Sequence, residues 1–289
     1  MNCVVLSRHN LNVFNIPGQG YDGAGNMRGE WNGLQALFLT DCPYAYYVHC
    51  FAHRLQLALV AASREVISIH QLFSKLTFIV SIVCSSSKHH YQLQVAKLDE
   101  IAYLLEIDEL ENGKGANQID TLKQAGDTRW SSHFSSICSL ININDATCSV
   151  LEIITIDGST YSQSGDVDNA YKSLTSFEFI LIFYLMREIR GITDFLCQAL
   201  QQQYQDIVNV MHLVCFTKGL IQNLREIGWD KLLKNVTSFY EKHDIEVPHF
   251  GASYIARQGC SSHQKDHITV DYYLRVKIFF VTIIRNYKS

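Results

Sequence analysis

Proline is nearly absent from this chain of 289 residues, and that scarcity limits the folds it can adopt. The three prolines are Pro17, Pro43 and Pro248, so the long stretch between the last two contains none. Because proline interrupts helices and marks turns, this distribution favours long helices over a turn-rich all-β fold. From Ala52 to about Cys84 apolar residues recur at helical spacing, which predicts one long helix or two in series.

The N-terminal part of the chain has a different pattern. An alternating run from Leu11 to Ile16 predicts a half-buried strand, and the aromatic run from Tyr44 to Cys50 predicts a second one. The glycine cluster from Gly18 to Gly25 predicts a sharply turning loop with space for a ligand. The sequence therefore predicts a fold of class α/β plus all-α. A small α/β unit would occupy residues 1–65, and a mainly helical body would occupy residues 66–289.

Charge, cysteine usage and the length of the apolar runs indicate which partners and which compartment to expect. The formal net charge of −4 disfavours a self-sufficient nucleic-acid-binding domain, so any contact with DNA is expected to be local. Nine dispersed cysteines and no recognisable signal peptide predict a reducing, intracellular compartment. The most apolar runs, Leu174 to Met186 and Val276 to Ile284, are too short to span a membrane, so no membrane partner is expected.

Asp22 is the first candidate for chemistry, because it is the only acid in the glycine cluster and should follow a strand. Hard divalent cations take oxygen ligands, and two-metal nucleases need several converging carboxylates. The alternative is an aspartate that accepts hydrogen bonds within its own turn, as Asp-Gly pairs commonly do.

Cys50 and His53 form a Cys-x-x-His pair where the second strand should end. A thiolate and an imidazole could supply half of a zinc site. The sequence offers no second pair at suitable spacing, since His89-His90 and Cys138 are poor candidates. The alternative is that His49, Cys50 and His53 stabilise the strand–helix junction by packing and hydrogen bonding.

Arg129 and Trp130 lie where a helix should begin after Asp127 or Thr128. A cation beside a large aromatic ring can bind a phosphate and stack a displaced base. The alternative is that Trp130 packs in the core of an amphipathic helix.

Three motifs in a fixed order resemble the hAT superfamily of DNA transposases. They are Tyr21 to Met27 (YDGAGNM), His49 to Ala58 (HCFAHRLQLA) and Asp127 to Ser132 (DTRWSS). The chain is especially similar to transposase-derived plant proteins labelled MYM-type or TTF-type zinc-finger proteins. The resemblance implies a ribonuclease H-like core with a large helical insertion, so the α/β unit would be a partial core of two strands with helices.

The same resemblance assigns roles to individual residues. Asp22 would be the second acid of an Asp-Asp-Glu triad that binds two divalent metals, Mg²⁺ or Mn²⁺. Gly23 and Asn26 belong to the first motif, and Cys50 and His53 match a Cys-x-x-His signature near the active site. Arg129 and Trp130 would contact nucleic acid, with the tryptophan holding a flipped base.

The departures from the family pattern change the functional expectation. The first acid should lie on an upstream strand and the final glutamate on a downstream helix, and neither has a counterpart here. The N-terminal zinc finger and the C-terminal dimerisation segment of the family are also not recognised. One carboxylate cannot hold two cations, so the expectation is a truncated, domesticated transposase-like protein that is nuclear, without a bound cofactor and catalytically inactive. The alternative is a helical interaction module that binds itself or other transposase-like proteins.

Overall fold

The computed structural model of this protein describes most of the chain. The described residues are Arg8, Leu122, Ser136 and the ranges 12–106, 139–140, 142–157, 161–202, 206–243, 245–255 and 268–288. They form a mostly helical molecule with one small sheet.

The sheet has two parallel strands, β1 (Gly18–Tyr21) and β2 (Tyr46–His49). Two short helices, α1 (Gly25–Arg28) and α2 (Leu34–Asp41), connect them. The buried side chain of Gln19 donates from Nε2 to the Ala45 carbonyl oxygen at 2.7 Å, which fixes the start of β2 against β1. The two strands are in register, with Tyr21 beside His49. Their carboxyl ends therefore meet at one edge of the unit.

The prediction of a strand from Leu11 to Ile16 is wrong, because Val13–Asn15 is a 3-10 turn. Asn12 accounts for the difference: its side-chain Oδ1 accepts from the Phe14 amide at 3.0 Å, and its carbonyl accepts from the Asn15 amide at 3.0 Å. Asparagine readily makes such local bonds, which compete with a strand ladder. The first strand lies instead within the predicted glycine loop. The predicted second strand is present in shortened form.

The helices after the sheet are long. The first of them, Phe51–Arg64, lies within the predicted α/β unit but packs against helices of the body. The described ones are α3 (Phe51–Arg64), α4 (Ile67–Val83), α5 (Ser87–Glu106), α6 (Asn144–Asp157), α7 (Tyr161–Leu174), α8 (Phe177–Ala199) and α9 (Ile207–Lys242). A last continuous helix comprises α10 (Val270–Tyr272), a π-helical segment (Tyr273–Phe280) and α11 (Val281–Lys288).

The apolar stretch predicted from Ala52 to Cys84 forms two helices rather than one. Residues 51–62 and 67–83 are bent by 103° relative to each other. Among the described residues no single helix has the length and apolar content needed to cross a membrane, and this bent pair meets that test only when its helices are taken together.

The core lies between α4, α8, α9 and the last helix. Phe279 is fully buried and packs edge-on against Trp229, with the ring centroids 5.4 Å apart. Tyr240 is also buried, and its hydroxyl donates to the Thr175 carbonyl oxygen at 3.0 Å. Because α8 is apolar on several faces, it is enclosed by the other helices, as expected for a central core helix.

Two predicted interruptions of the body are continuous helix. Gly228 lies inside α9, where it faces the core, and a Cβ at this position would lie 3.7 Å from the Phe279 ring. The predicted loop from Ser162 to Asp166 belongs to α7. In both places the periodic apolar residues on either side outweigh local loop formers, since packing overrides weak local propensity.

Candidate functional site

The carboxyl ends of β1 and β2 bring two of the predicted motifs together. Asp22 follows β1 directly, and Cys50 follows β2 directly. The Cys50 amide donates to the Tyr21 carbonyl oxygen at 2.8 Å, which continues the ladder by one bond beyond the strands. In open parallel sheets this is the edge at which ligands usually bind.

Asp22 is exposed and participates in its own turn. Its Oδ1 accepts from the Ala24 amide at 3.3 Å, and the Tyr47 hydroxyl donates to its carbonyl oxygen at 3.2 Å. These contacts agree with the alternative that Asp22 accepts hydrogen bonds within its own turn. The backbone around Asp22 is thereby held beside the end of β2, while its carboxylate faces solvent.

The environment of His49 shifts its pKa. Burial lowers the pKa of His49, and positive charge from His53, Arg54 and Arg28 lowers it further, whereas Asp22 acts in the opposite direction. Its Nε2 is buried and has no hydrogen-bond partner among the described residues. The neutral imidazole is therefore favoured near pH 7 in the absence of a ligand.

Cys50 and His53 lie at the start of α3, as their spacing predicts. The ring of His53 is tilted against that of His49, with the centroids 5.5 Å apart. Within the described part of the chain, no three His, Cys, Asp or Glu side chains are arranged to hold one metal ion. The His53 ring thus packs against the His49 ring. This contact is consistent with the alternative that these residues stabilise the strand–helix junction.

Gly23 and Asn26 lie in the loop and in the short helix that follow Asp22. A Cβ on Gly23 would lie 3.2 Å from Cε1 of His49, so the missing side chain leaves room for the imidazole. Asn26 is exposed in α1. The first motif therefore positions a loop over His49.

The remaining residues that the sequence analysis considered for a site are His89, His90, Arg129, Trp130 and Cys138. Arg129, Trp130 and Cys138 lie outside the described residues. His89 lies in α5, where its Nδ1 is 3.2 Å from Oγ of Ser85. His90 is one turn before Gln94, with 3.3 Å between the His90 and Gln94 side-chain nitrogens. These local contacts do not build a second half of a zinc site.

Sequence reasoning missed Arg28 and Arg54. Arg28 ends α1, where its amide donates to the Ala24 carbonyl oxygen at 2.9 Å. Arg54 lies in the first turn of α3, where its amide donates to the Cys50 carbonyl oxygen at 3.0 Å. Both side chains are exposed, and neither forms an ion pair within the described ranges. The available signal was their position: Arg28 directly follows the first motif, and Arg54 lies within the second motif, directly after His53.

A second polar site lies in the body, between α5, α6, α8 and α9. It is a cleft of about 530 Å³ in which His243 Nε2 lies 2.6 Å from Asp145 Oδ1. Burial alone would raise the pKa of Asp145, but the hydrogen bond and charge of His243 lower it below its ordinary value. The hydrogen bond that His243 donates to the Asp145 carboxylate raises the pKa of His243 despite burial. The pair therefore favours a carboxylate and an imidazolium, which joins the end of α9 to the start of α6.

Comparison with known families gives one match, at the N-terminus. The family model DUF4371, described as ZMYM1/FAM200, RNase-like domain, matches residues 3–33. This segment includes β1, Asp22 and α1. The match supports a transposase-derived, ZMYM/FAM200-like relationship. No solved structure matches the chain.

Proposed function

We propose that this chain is a transposase-derived protein of the hAT type that does not cut or join DNA. The observation that carries the proposal is the setting of Asp22, which lies in the segment similar to an RNase-like domain. Its carboxylate accepts a hydrogen bond within its own turn, and its effect on the pKa of His49 is opposed by the charges of His53, Arg54 and Arg28.

The described residues do not fit the two-metal chemistry that the transposase resemblance implies. Such a site holds two cations about 3.5–4 Å apart between several carboxylates. Among the described residues no three His, Cys, Asp or Glu side chains are arranged to hold a metal ion, and the positive charges of Arg28 and Arg54 act on His49 at the strand ends. No step of strand transfer is therefore derived for this chain, and the Mg²⁺ or Mn²⁺ of the ancestral reaction is not assigned to it.

A nicking assay tests this proposal. The purified 289-residue chain is incubated with supercoiled plasmid in Mg²⁺ or Mn²⁺, beside an Asp22→Ala variant. We expect no conversion to nicked plasmid by either protein. Metal-dependent nicking by the wild type that is abolished by Asp22→Ala would refute the proposal.

A second candidate function is an interaction module, whose partner is a second copy or a transposase-like protein. The exposed apolar side chains of the α/β unit favour it. Tyr46 in β2 is 68% exposed and Trp31 before α2 is 88% exposed, although parallel sheets are normally covered on both faces. Within the described residues the sheet has two strands, so each has an outer edge without a neighbour.

Light scattering coupled to gel filtration tests the second candidate. We expect the wild-type chain to self-associate, or to co-elute with a transposase-like partner, and Tyr46→Lys to reduce the complex. Tyr91→Lys on α5 is the matched control, because Tyr91 is 67% exposed and lies in the body. The interaction function would be excluded if the chain is a monomer that binds none of the partners. It would also be excluded if Tyr46→Lys and Tyr91→Lys reduce the complex equally. The proposed nuclear location can be tested separately by imaging a tagged chain.

A further inference from the structure

The cleft between α5, α6, α8 and α9 contains two buried acceptor atoms without a partner. Asn144 lines the cleft and is only 7% exposed, and its Oδ1 has no hydrogen-bond partner among the described residues. Oε2 of Glu100, which also lines the cleft, is buried and has no partner there either, whereas its Oε1 accepts from Lys97 Nζ at 2.9 Å. Because buried polar atoms almost always have a partner, these two acceptors indicate that a donor group enters the cleft.

Charges of both signs line the same cleft. Among the described residues its walls carry three acids and three bases, which are Glu100, Asp145, Glu188, Arg187, Lys242 and His243. Asp145 and His243 already bind each other. Arg187 and Glu188 are consecutive on α8, and neither forms an ion pair within the described ranges. Cζ of Arg187 lies 5.8 Å from the centroid of the Tyr184 ring, which holds the guanidinium beside the cleft. The α8 wall therefore offers a charge of each sign to a ligand.

Two aromatic rings give the cleft an apolar wall. Tyr184 and Phe239 both line it, both are half-buried, and they meet edge-on with their ring centroids 6.1 Å apart. The cleft volume of about 530 Å³ lies within the range of roughly 300–1,000 Å³ that is typical of small-molecule sites. Aromatic rings prefer edge-on or offset contact with a further ring, so this wall suits a ligand with an aromatic group.

We propose that the cleft binds a free α-amino acid with an aromatic side chain. The ligand ammonium donates to Oε2 of Glu100 and Oδ1 of Asn144 and is attracted by the Glu188 carboxylate. The ligand carboxylate accepts from the Arg187 guanidinium, and the side chain packs against the two aromatic rings. Each unpaired group in the cleft then has a partner of the opposite kind. The site lies in the helical body and performs no reaction, so it does not depend on whether the chain cuts DNA.

Isothermal titration calorimetry of the full chain with three probes tests the proposal. L-phenylalanine carries all three groups, phenethylamine lacks the carboxylate, and 3-phenylpropionate lacks the ammonium. We expect L-phenylalanine to bind about tenfold more tightly than either analogue, because each charged group adds charge-assisted hydrogen bonds. This comparison uses the wild type alone, so it does not depend on the folding of any variant.

Two substitutions on α8 assign each charge of the ligand to its partner. Arg187→Gln should weaken binding of L-phenylalanine about tenfold and leave phenethylamine unchanged, since phenethylamine has no carboxylate. Glu188→Gln should weaken both L-phenylalanine and phenethylamine and leave 3-phenylpropionate unchanged. Its effect should be smaller, about fivefold, because Glu100 and Asn144 also contact the ammonium.

Arg225→Gln and Glu241→Gln are the matched controls for charge. Both residues are exposed on α9, and neither is among the described residues that line the cleft. We expect each control to change binding of L-phenylalanine less than roughly twofold, because exposed charges outside the site are screened. Circular dichroism verifies that each variant is folded.

Three outcomes would overturn the proposal. The first is a wild type that binds no L-phenylalanine at millimolar concentration, which would leave solvent as the donor to the buried acceptors. The second is an analogue that binds as tightly as L-phenylalanine or more tightly. The third is that the folded Arg187→Gln and Glu188→Gln proteins bind all three probes as the wild type does.

Discussion

The α/β unit and the helical body bury their apolar side chains to very different extents. In the body, Phe279, Leu185 and Val236 are shielded almost completely from solvent. In the α/β unit, Trp31, Tyr44 and Tyr46 are mainly exposed. Burial of apolar surface is the main favourable term in folding, and sheets of two strands are marginal without further support. We infer from this difference that the body supplies the folding stability. The α/β unit, which carries the motifs at the strand ends, depends on the body or on a partner to remain folded.

The largest expected effect is the loss of a core aromatic in the body. Phe279→Ala should lower the free energy of unfolding by about 3–5 kcal/mol, because it removes the ring packed on Trp229 and leaves a cavity. Tyr46→Ala on the sheet should change it by less than about 0.5 kcal/mol. Urea unfolding followed by circular dichroism measures both. Comparable losses in the two variants would mean that the sheet is part of the same core.

Hydrogen exchange should show the same contrast without a mutation. We expect amides of β2 to exchange at least about a hundredfold faster than those in the middle of α8, because marginal units open without global unfolding. Mass spectrometry of peptic peptides measures this ratio. Protection of β2 equal to that of α8 would contradict the comparison.

The Asp145–His243 pair should contribute a smaller amount, of about 1 kcal/mol, since the partly exposed carboxylate is screened by water. The raised pKa of His243 means that its share is complete below its ordinary value of 6.5 and is lost as pH rises through the folded value. The lowered pKa of Asp145 means that its share is complete above 3.8 and is lost as pH falls through the folded value. The contribution is therefore largest between these two ordinary values.

Asp145→Asn tests this contribution by thermal unfolding across that pH range. We expect the variant to be less stable than the wild type near pH 5 and the gap to narrow toward pH 8. A gap that widens with rising pH would reverse the assigned sign. Asp230→Asn, at an exposed position on α9, is the control for a change of charge alone.

The smallest expected effect concerns a surface ion pair of the body. Lys172 and Asp168 are one turn apart on α7, with Nζ 2.6 Å from Oδ2, and both are exposed. Lys172→Ala should cost only about 0.3 kcal/mol, because exposed pairs are screened. Chemical unfolding at low and high salt measures it. A loss above 1 kcal/mol would show that charge, and not the apolar core, accounts for much of the stability of the body.

The sequence by itself determined which parts of the chain are helical and where the candidate chemistry lies. Helical periodicity outlines α3, α4 and α8, because one face of each must be apolar to be buried. The strand Tyr46–His49 and the position of Cys50 directly after it also follow from local pattern. The strand before Asp22 does not, because the alternating run predicted it at Leu11 to Ile16 and it lies at Gly18–Tyr21. The roles of Arg129 and Trp130 stay predictions.

Tertiary structure decided what local pattern left open or hid. Leu11 to Ile16 alternates like a strand, yet Asn12 folds it into a turn, while the glycines of β1 gain their strand geometry only from the neighbouring β2. Gly228 is a helix breaker in isolation, but in the fold it is a close-packing position, where an added Cβ would lie 2.5 Å from Cδ1 of Leu224. Arg28 and Arg54 are ordinary surface cations along the sequence. Their charges both lower the pKa of His49, because parallel pairing brings two distant strand ends together. Electrostatic interaction depends on distance in space and not on separation along the chain.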